Sequence, residues 1–134
     1  DQERNTDLII LTLKPWRVAC RIRKNKYLAR YGDQFTIRSE RPSGIKTELT
    51  KIIEGWGDYI FYGFSDPPES SLCQWLIGDL NAFRVWHSRE MFRQKGQMPG
   101  ILRHNADGSS DLRAYSKDEI PDFIVTEQRY SNAA

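Results

Sequence analysis

The period of the apolar residues changes at Gly32, and that change limits the fold class. Upstream, Trp16, Cys20, Tyr27 and Tyr31 fall on one stripe of a helical wheel and Val18, Ile22 and Ala29 on a second, with cations between them. Downstream, Phe35 and Ile37 alternate with polar neighbours. A repeat near 3.6 builds helices, and a repeat of 2 builds half-buried strands. Pro15 suits a first helical turn, no glycine or second proline interrupts residues 16–31, and Gly32 offers a stop. The spacing therefore predicts a helix over residues 15–30.

The alternation continues beyond it. Residues 34–40 (QFTIRSE) and 45–53 (IKTELTKII) read as strands joined by the turn chemistry of Arg41-Pro-Ser-Gly44, which predicts a hairpin. After the turn Glu54-Gly-Trp-Gly57 comes an aromatic strand over residues 58–64 (DYIFYGF), then a loop over 65–71 whose two prolines cannot join a ladder. Residues 72–79 (LCQWLIGD) are apolar on both faces, the mark of a central strand. A helix over 81–94 follows, with Phe83, Trp86 and Phe92 for packing. Residues 96–110 read as an irregular connection, and 111–115 (DLRAY) and 123–126 (FIVT) as short strands. This order predicts an α+β fold: one domain over residues 1–134, an antiparallel or mixed sheet flanked by helices, frayed at 1–7 and 127–134.

With 134 residues, 39% of them hydrophobic, the chain has material for one core. Its longest apolar run, Leu8 to Leu11 resuming at Leu13, is too short to span a bilayer, and no stretch has the order of a secretory signal. Cys20 and Cys73 have no partner spacing and read as buried free thiols of a cytoplasmic protein. The net charge of +2 hides a polarised molecule. Between Leu8 and Gly32 stand seven cations (Lys14, Arg17, Arg21, Arg23, Lys24, Lys26 and Arg30) and no carboxylate. Such a segment suits phosphate, which makes Arg17, Arg21, Arg23, Lys24, Lys26 and Arg30 candidate contacts to nucleic acid; it equally suits a solvated surface helix. Aromatics beside basic residues can stack unpaired bases, and Trp56 and Tyr59, flanking a glycine turn, are the first candidates for exposed platforms among residues that otherwise fill a core.

Asp58 opens one expected strand and Asp79-Leu80-Asn81 closes the next. Side chains two apart on a strand share a face, so Asp79 and Asn81 would point together, with Asp58 meeting them where the strands converge. Paired carboxylates there suit Mg²⁺ or Mn²⁺, because hard cations take oxygen ligands and two like charges need a counter-charge. Glu48, on the neighbouring expected strand, is a third candidate ligand. The plainer reading makes Asp58 a turn residue, Asp79 the cap of the following helix, and Glu48 an ordinary residue of a half-exposed strand. Asn105-Ala-Asp107-Gly108 matches only the first half of a calcium loop and reads as a turn, and neither His87 nor His104 has a ligand-spaced companion for zinc.

Across residues 16–126 this arrangement resembles the PD-(D/E)xK nuclease fold of Holliday-junction resolvases and many restriction enzymes: a helix, a hairpin, Asp58 opening a strand, the acidic-x-polar triplet 79–81 closing the next, a second helix and a late strand. The resemblance implies a restriction-endonuclease-like core with Asp58 and Asp79 as metal ligands, and the expected partner is nucleic acid, DNA ahead of RNA. The family's last motif position is a lysine that assists the attacking water. Asn81 stands there, so Lys51 or Arg84 would have to supply the cation. Three functions follow from the sequence: a metal-dependent nuclease, degenerate if Asn81 is uncompensated; a non-catalytic nucleic-acid-binding accessory protein; or a protein-interaction module using the basic segment and the aromatic strand. A homodimer is compatible with each.

Overall fold

Val18 and Ile22 are β-branched and alternate with Ala19, Arg21 and Arg23 as readily as they fit a helical stripe. The alternation prevails. In the computed structural model, which describes residues 14–40, 46–66, 71–104 and 111–129, Val18–Arg23 is strand β1 and runs parallel to β3 (Tyr59–Asp66), with Val18 opposite Tyr59 and Arg23 opposite Phe64. Only the end of the expected helix over 15–30 is helical, as a 3₁₀ turn at Asn25–Tyr27 and a single turn, α1, at Leu28–Tyr31 that Gly32 caps. A helix of that length draws most of its stability from packing one face. A strand laid beside the apolar β3 gains ladder hydrogen bonds and buries Ala19 at once, so pairing overrides propensity.

The second departure lies after β2 (Gln34–Glu40). Glu48–Ile53, expected as the other arm of a hairpin, is helix α2. Leu49 and Ile52, three residues apart, are both buried, and the extended Thr47 that precedes them donates its hydroxyl to the Ser39 carbonyl at 3.1 Å. β2 pairs instead with β6 (Asp111–Ser116), Phe35 opposite Tyr115, and β6 pairs with β5 (Ile101–His104), a strand inside the stretch expected to be irregular. The turn at 41–44, the proline pair at 67–68, the 105–108 motif and the termini 1–7 and 130–134 lie outside the described residues.

The remaining elements stand close to expectation: β3, β4 (Ser71–Asp79), helix α3 (Leu80–Arg93) and β7 (Ile124–Gln128). The strands form two sheets where one was expected, a mixed sheet ordered β1-β3-β4-β7 and an antiparallel sheet ordered β2-β6-β5, with β4 inside the first. The molecule is a small α+β domain. At 127–129 the chain still makes contacts: Trp75 Nε1 donates to Gln128 Oε1 at 3.2 Å, and Arg129 pairs with Asp118 at 2.7 Å and Glu127 at 2.8 Å. Among the described residues no helix is long and apolar enough to cross a membrane.

The core gathers around Phe35, whose ring lies 4.7 Å from Phe123, 5.4 Å from Tyr115, 6.0 Å from Phe83 and 6.4 Å from Tyr62 by centroids. Gly78 on β4 faces this cluster, and a Cβ there would collide with the tip of the Phe123 ring. Cys73 is buried as expected, but Cys20, on edge strand β1, is exposed; both are free.

Two outcomes follow from this packing. Gly78→Ala overpacks the Phe123 contact and is expected to lower unfolding stability by roughly 1–3 kcal/mol, read from urea midpoints at unchanged slope. His87 is buried against Phe83, its Nε2 has no hydrogen-bond partner among the described residues, and burial first, then the Arg113 charge, hold its imidazole below the ordinary histidine range. The folded state keeps it neutral where the unfolded chain takes up a proton. Stability should therefore be flat above the ordinary histidine pKa and fall as pH drops below it, and His87→Phe should remove that part of the loss in a melting series across acid pH.

Candidate functional site

The register of β3 on β4 sets Tyr59 opposite Asp79, and the Leu80 N–H donates to the Asp58 carbonyl at 3.0 Å. The two aspartates thus lie at one end of the same strand pair, but each side chain has a local task. Asp58 Oδ2 accepts from the Arg17 N–H at 2.9 Å, while the Asp58 and Tyr59 N–H groups donate to the Arg17 carbonyl at 2.8 and 3.2 Å. This fastens the start of β1 to β3. Asp79 Oδ1 accepts from the N–H groups of Asn81 at 2.8 Å and Ala82 at 3.3 Å, satisfying donors that the first turn of α3 leaves free.

Arg84 is spent on backbone. Its guanidinium donates to the carbonyls of Ile52 at 3.1 Å, Trp56 at 3.3 Å and Gly57 at 3.1 Å, and to Asn81 Oδ1 at 2.6 Å. One side chain from α3 thereby holds the turn between α2 and β3, where Gly55 and Gly57 adopt positive φ. Among the described residues no three His, Cys, Asp or Glu side chains gather so as to hold a metal ion. Asp58, Asp79 and Glu48 therefore do not form such a group of three.

Glu48 and Lys51 lie in another place, a cleft of about 520 Å³ lined by Cys20, Arg21, Arg38, Lys46, Glu48, Lys51 and Trp56. Four cations face one carboxylate. Arg21 enters it because β1 pairs with β3, which puts Arg21 beside Tyr62 on the inward face of the sheet. Burial first, with the Arg23 and Arg38 charges adding to it, pulls its pKa below the ordinary arginine value against the opposing effects of Tyr62 and Glu48; an arginine still stays cationic at neutral pH. The Nε donors of both Arg21 and Arg38 are buried without a hydrogen-bond partner among the described residues. Such an orphan donor costs about 1–3 kcal/mol, and the two like charges repel, so the cleft carries an electrostatic strain that an anion would relieve.

At the rim, Trp56 keeps 38% of its surface exposed. Its backbone is held at both ends, the N–H donating to the Lys51 carbonyl at 2.9 Å and the carbonyl accepting from Arg84. Lys46 is turned toward Glu54 at 2.8 Å, a surface pair that solvent and salt weaken.

Of the residues singled out from sequence, Arg21, Glu48, Lys51 and Trp56 meet in this cleft. Asp58, Asp79, Asn81 and Arg84 build the scaffold beside it. Tyr59 faces the other side of the sheet, edge-on to Trp16 at 5.3 Å, in an apolar groove with Val18, Phe61, Ile77 and Val125. Arg17 acts through its backbone. Arg23, Lys26 and Arg30 lie over Tyr27 and Tyr31, and Lys24 is exposed at the turn between them. The cations expected on one helix are split because Arg21 and Arg23 follow one another along a face of β1, while Lys26 and Arg30 stand on the helical turns after it. Arg38 and Lys46 were missed. Alternation in QFTIRSE does put Arg38 opposite Phe35 and Ile37, but only the packing of β2 against α2, beside the cleft that Arg21 also lines, reveals what that face meets.

Because Asp79 and Arg84 hold structure, Asp79→Ala is expected to lower stability by about 1 kcal/mol and Arg84→Ala by about 2 kcal/mol, with Arg84→Lys failing to restore it, while the exposed Lys51→Ala leaves the denaturant midpoint unchanged. No family model matches the chain, and neither a curated protein nor a solved structure matches it.

Proposed function

We propose that this protein binds nucleic acid without cleaving it, holding backbone phosphate on Arg21 and Arg38 and a base against Trp56. The observation that carries this reading is the pair of half-buried arginines whose Nε donors lack partners among the described residues, in a cleft where four cations meet one carboxylate. A guanidinium presents donors in a fork that matches phosphate oxygens. Lys46 and Lys51 add sequence-independent attraction at the mouth, and an indole held by its backbone can stack a base at small entropic cost. Nothing in this arrangement needs a metal.

The nuclease alternative keeps one observation in its favour, the placement of Asp58 and Asp79 at the end of one strand pair, each with one carboxylate oxygen in no hydrogen bond among the described residues. Labelled single-stranded DNA, RNA and duplex, titrated by anisotropy at rising salt, test the main reading. Binding should weaken linearly in log–log form, and Arg21→Ala or Arg38→Ala should cost about tenfold or more and reduce the salt slope by about 0.7 to 0.9 for each phosphate no longer held. Bound nucleic acid should also slow maleimide labelling of Cys20. No binding at low salt, or variants that bind like the parent, would sink the proposal. Cleavage in Mg²⁺ or Mn²⁺ that a folded Asp79→Ala variant loses would put the nuclease in its place.

A further inference from the structure

Beyond the cleft, a second group of cations and aromatic rings has no structural task that accounts for its composition. Arg23 lies 4.4 Å from the Tyr27 ring centroid and 5.9 Å from that of Tyr31. Arg103, on β5, lies 4.7 Å from Tyr31, Arg30 lies 5.3 Å from the same ring, and Lys26 lies 5.1 Å from Tyr27. Four positive residues, from β1, from the helical turns that follow it and from β5, thus come onto two half-exposed rings. None of the four has a carboxylate within ion-pairing distance among the described residues. Arg103 donates Nη2 to Gln34 Oε1 at 3.1 Å, but its Nε is buried without a partner among the described residues. A fold that needed these cations only for solubility would not converge them, because like charges brought together repel.

We infer that the Tyr27–Tyr31 patch is a second station for the same nucleic acid, taking an unpaired base and its phosphate as the strand leaves the cleft. The inference rests on the reading of the cleft given above and adds strandedness to it. A guanidinium lying on a tyrosine ring keeps its N–H groups in its own plane, so one arginine can extend a stack and bind phosphate together. The two sites are joined by β1. Arg21 and Arg23 are alternate residues on one face of that strand, about 6.6 Å apart along it, and among the described residues β1 is an edge strand. A rigid duplex cannot offer its stacked bases to Trp56 and Tyr31, whereas a single strand can splay them.

Oligothymidylates and oligouridylates of about 4 to about 16 nucleotides, with a duplex as competitor, form the experiment. Affinity should rise in two steps with length, and the duplex should compete poorly. Trp56→Leu should weaken every length. Tyr31→Leu and Arg103→Ala should keep the first step and remove the second, a loss of about fivefold or more for the longer oligonucleotides. The exposed Arg30→Glu should act in the same direction and carries the test if Tyr31→Leu fails to fold. If long oligonucleotides bind and respond to Arg21→Ala, yet Arg103→Ala and Arg30→Glu leave the length dependence unchanged, this inference is overturned and the cleft reading stands. Equal affinity for duplex overturns it likewise. Failure of every nucleic acid to bind removes both.

Discussion

Phe35 is the point at which the two sheets become one molecule. Its ring stacks on Phe123 before β7, tilts against Tyr115 of its own sheet, and meets Phe83 of α3 and Tyr62 of β3 edge-on. Aromatic pairs at such separations add about 0.5–1.5 kcal/mol each beyond their buried area. The hydroxyls of Thr36 and Tyr62 stand 3.2 Å apart beside it, adding a polar contact between the same two sheets. The walls of the cleft are set relative to this cluster: β1 by its pairing with β3, Arg38 by its place three residues beyond Phe35, and α2 by the burial of Leu49 and Ile52. The absence of a side chain at Gly78, which leaves room for Phe123, belongs to the same packing.

Polar chemistry divides between holding the scaffold and facing solvent. Asp58, Asp79 and Arg84 are surrounded by backbone groups that strand ends and helix starts leave unpaired, and they satisfy those groups. A carboxylate at a strand end is as well suited to an N–H donor as to a cation, and here the donors are closer. Arg21 and Arg38 have the opposite situation. Their Nε donors have no carbonyl or carboxylate of the described residues within reach, and their own charges repel. The chemistry left over after folding therefore lies at the arginines and at Trp56, and the scaffold residues fix where they point.

Elements whose burial follows from a single face were legible from sequence. β4 is apolar on both sides because it lies between β3 and β7, and α3 begins where Asp79 caps it. Burial alternates over 59–62 and over 111–114, the parts of those strands where a period of two shows. The segments that departed from expectation carry a pattern compatible with two periods. Val18, Cys20 and Ile22 satisfy helix and strand alike, and only the presence of β3 alongside decides. In residues 45–53, Leu49 and Ile52 can be read as parts of an alternating run or as neighbours on a helix face, and the core beneath α2 selects the helix. The cleft suffered from the same ambiguity. Lys51, Glu48, Arg21 and Trp56 were each visible as chemistry, but their convergence depended on both of those elements.

By itself the sequence determined the α+β class, the polarised charge and the residue types available for recognition, because local periodicity and composition survive in any fold the chain adopts. It also determined that Asp79 stands where a helix begins, since capping is a local interaction. Tertiary structure decided that β1 is a strand, that its cations divide between a cleft and a tyrosine patch, and that the aspartates serve backbone donors. Those outcomes depend on contacts between residues far apart in the chain, such as Arg21 with Arg38 and Arg103 with Tyr31, and the free energy of a long-range contact is written in the packing of both partners rather than in the neighbourhood of either.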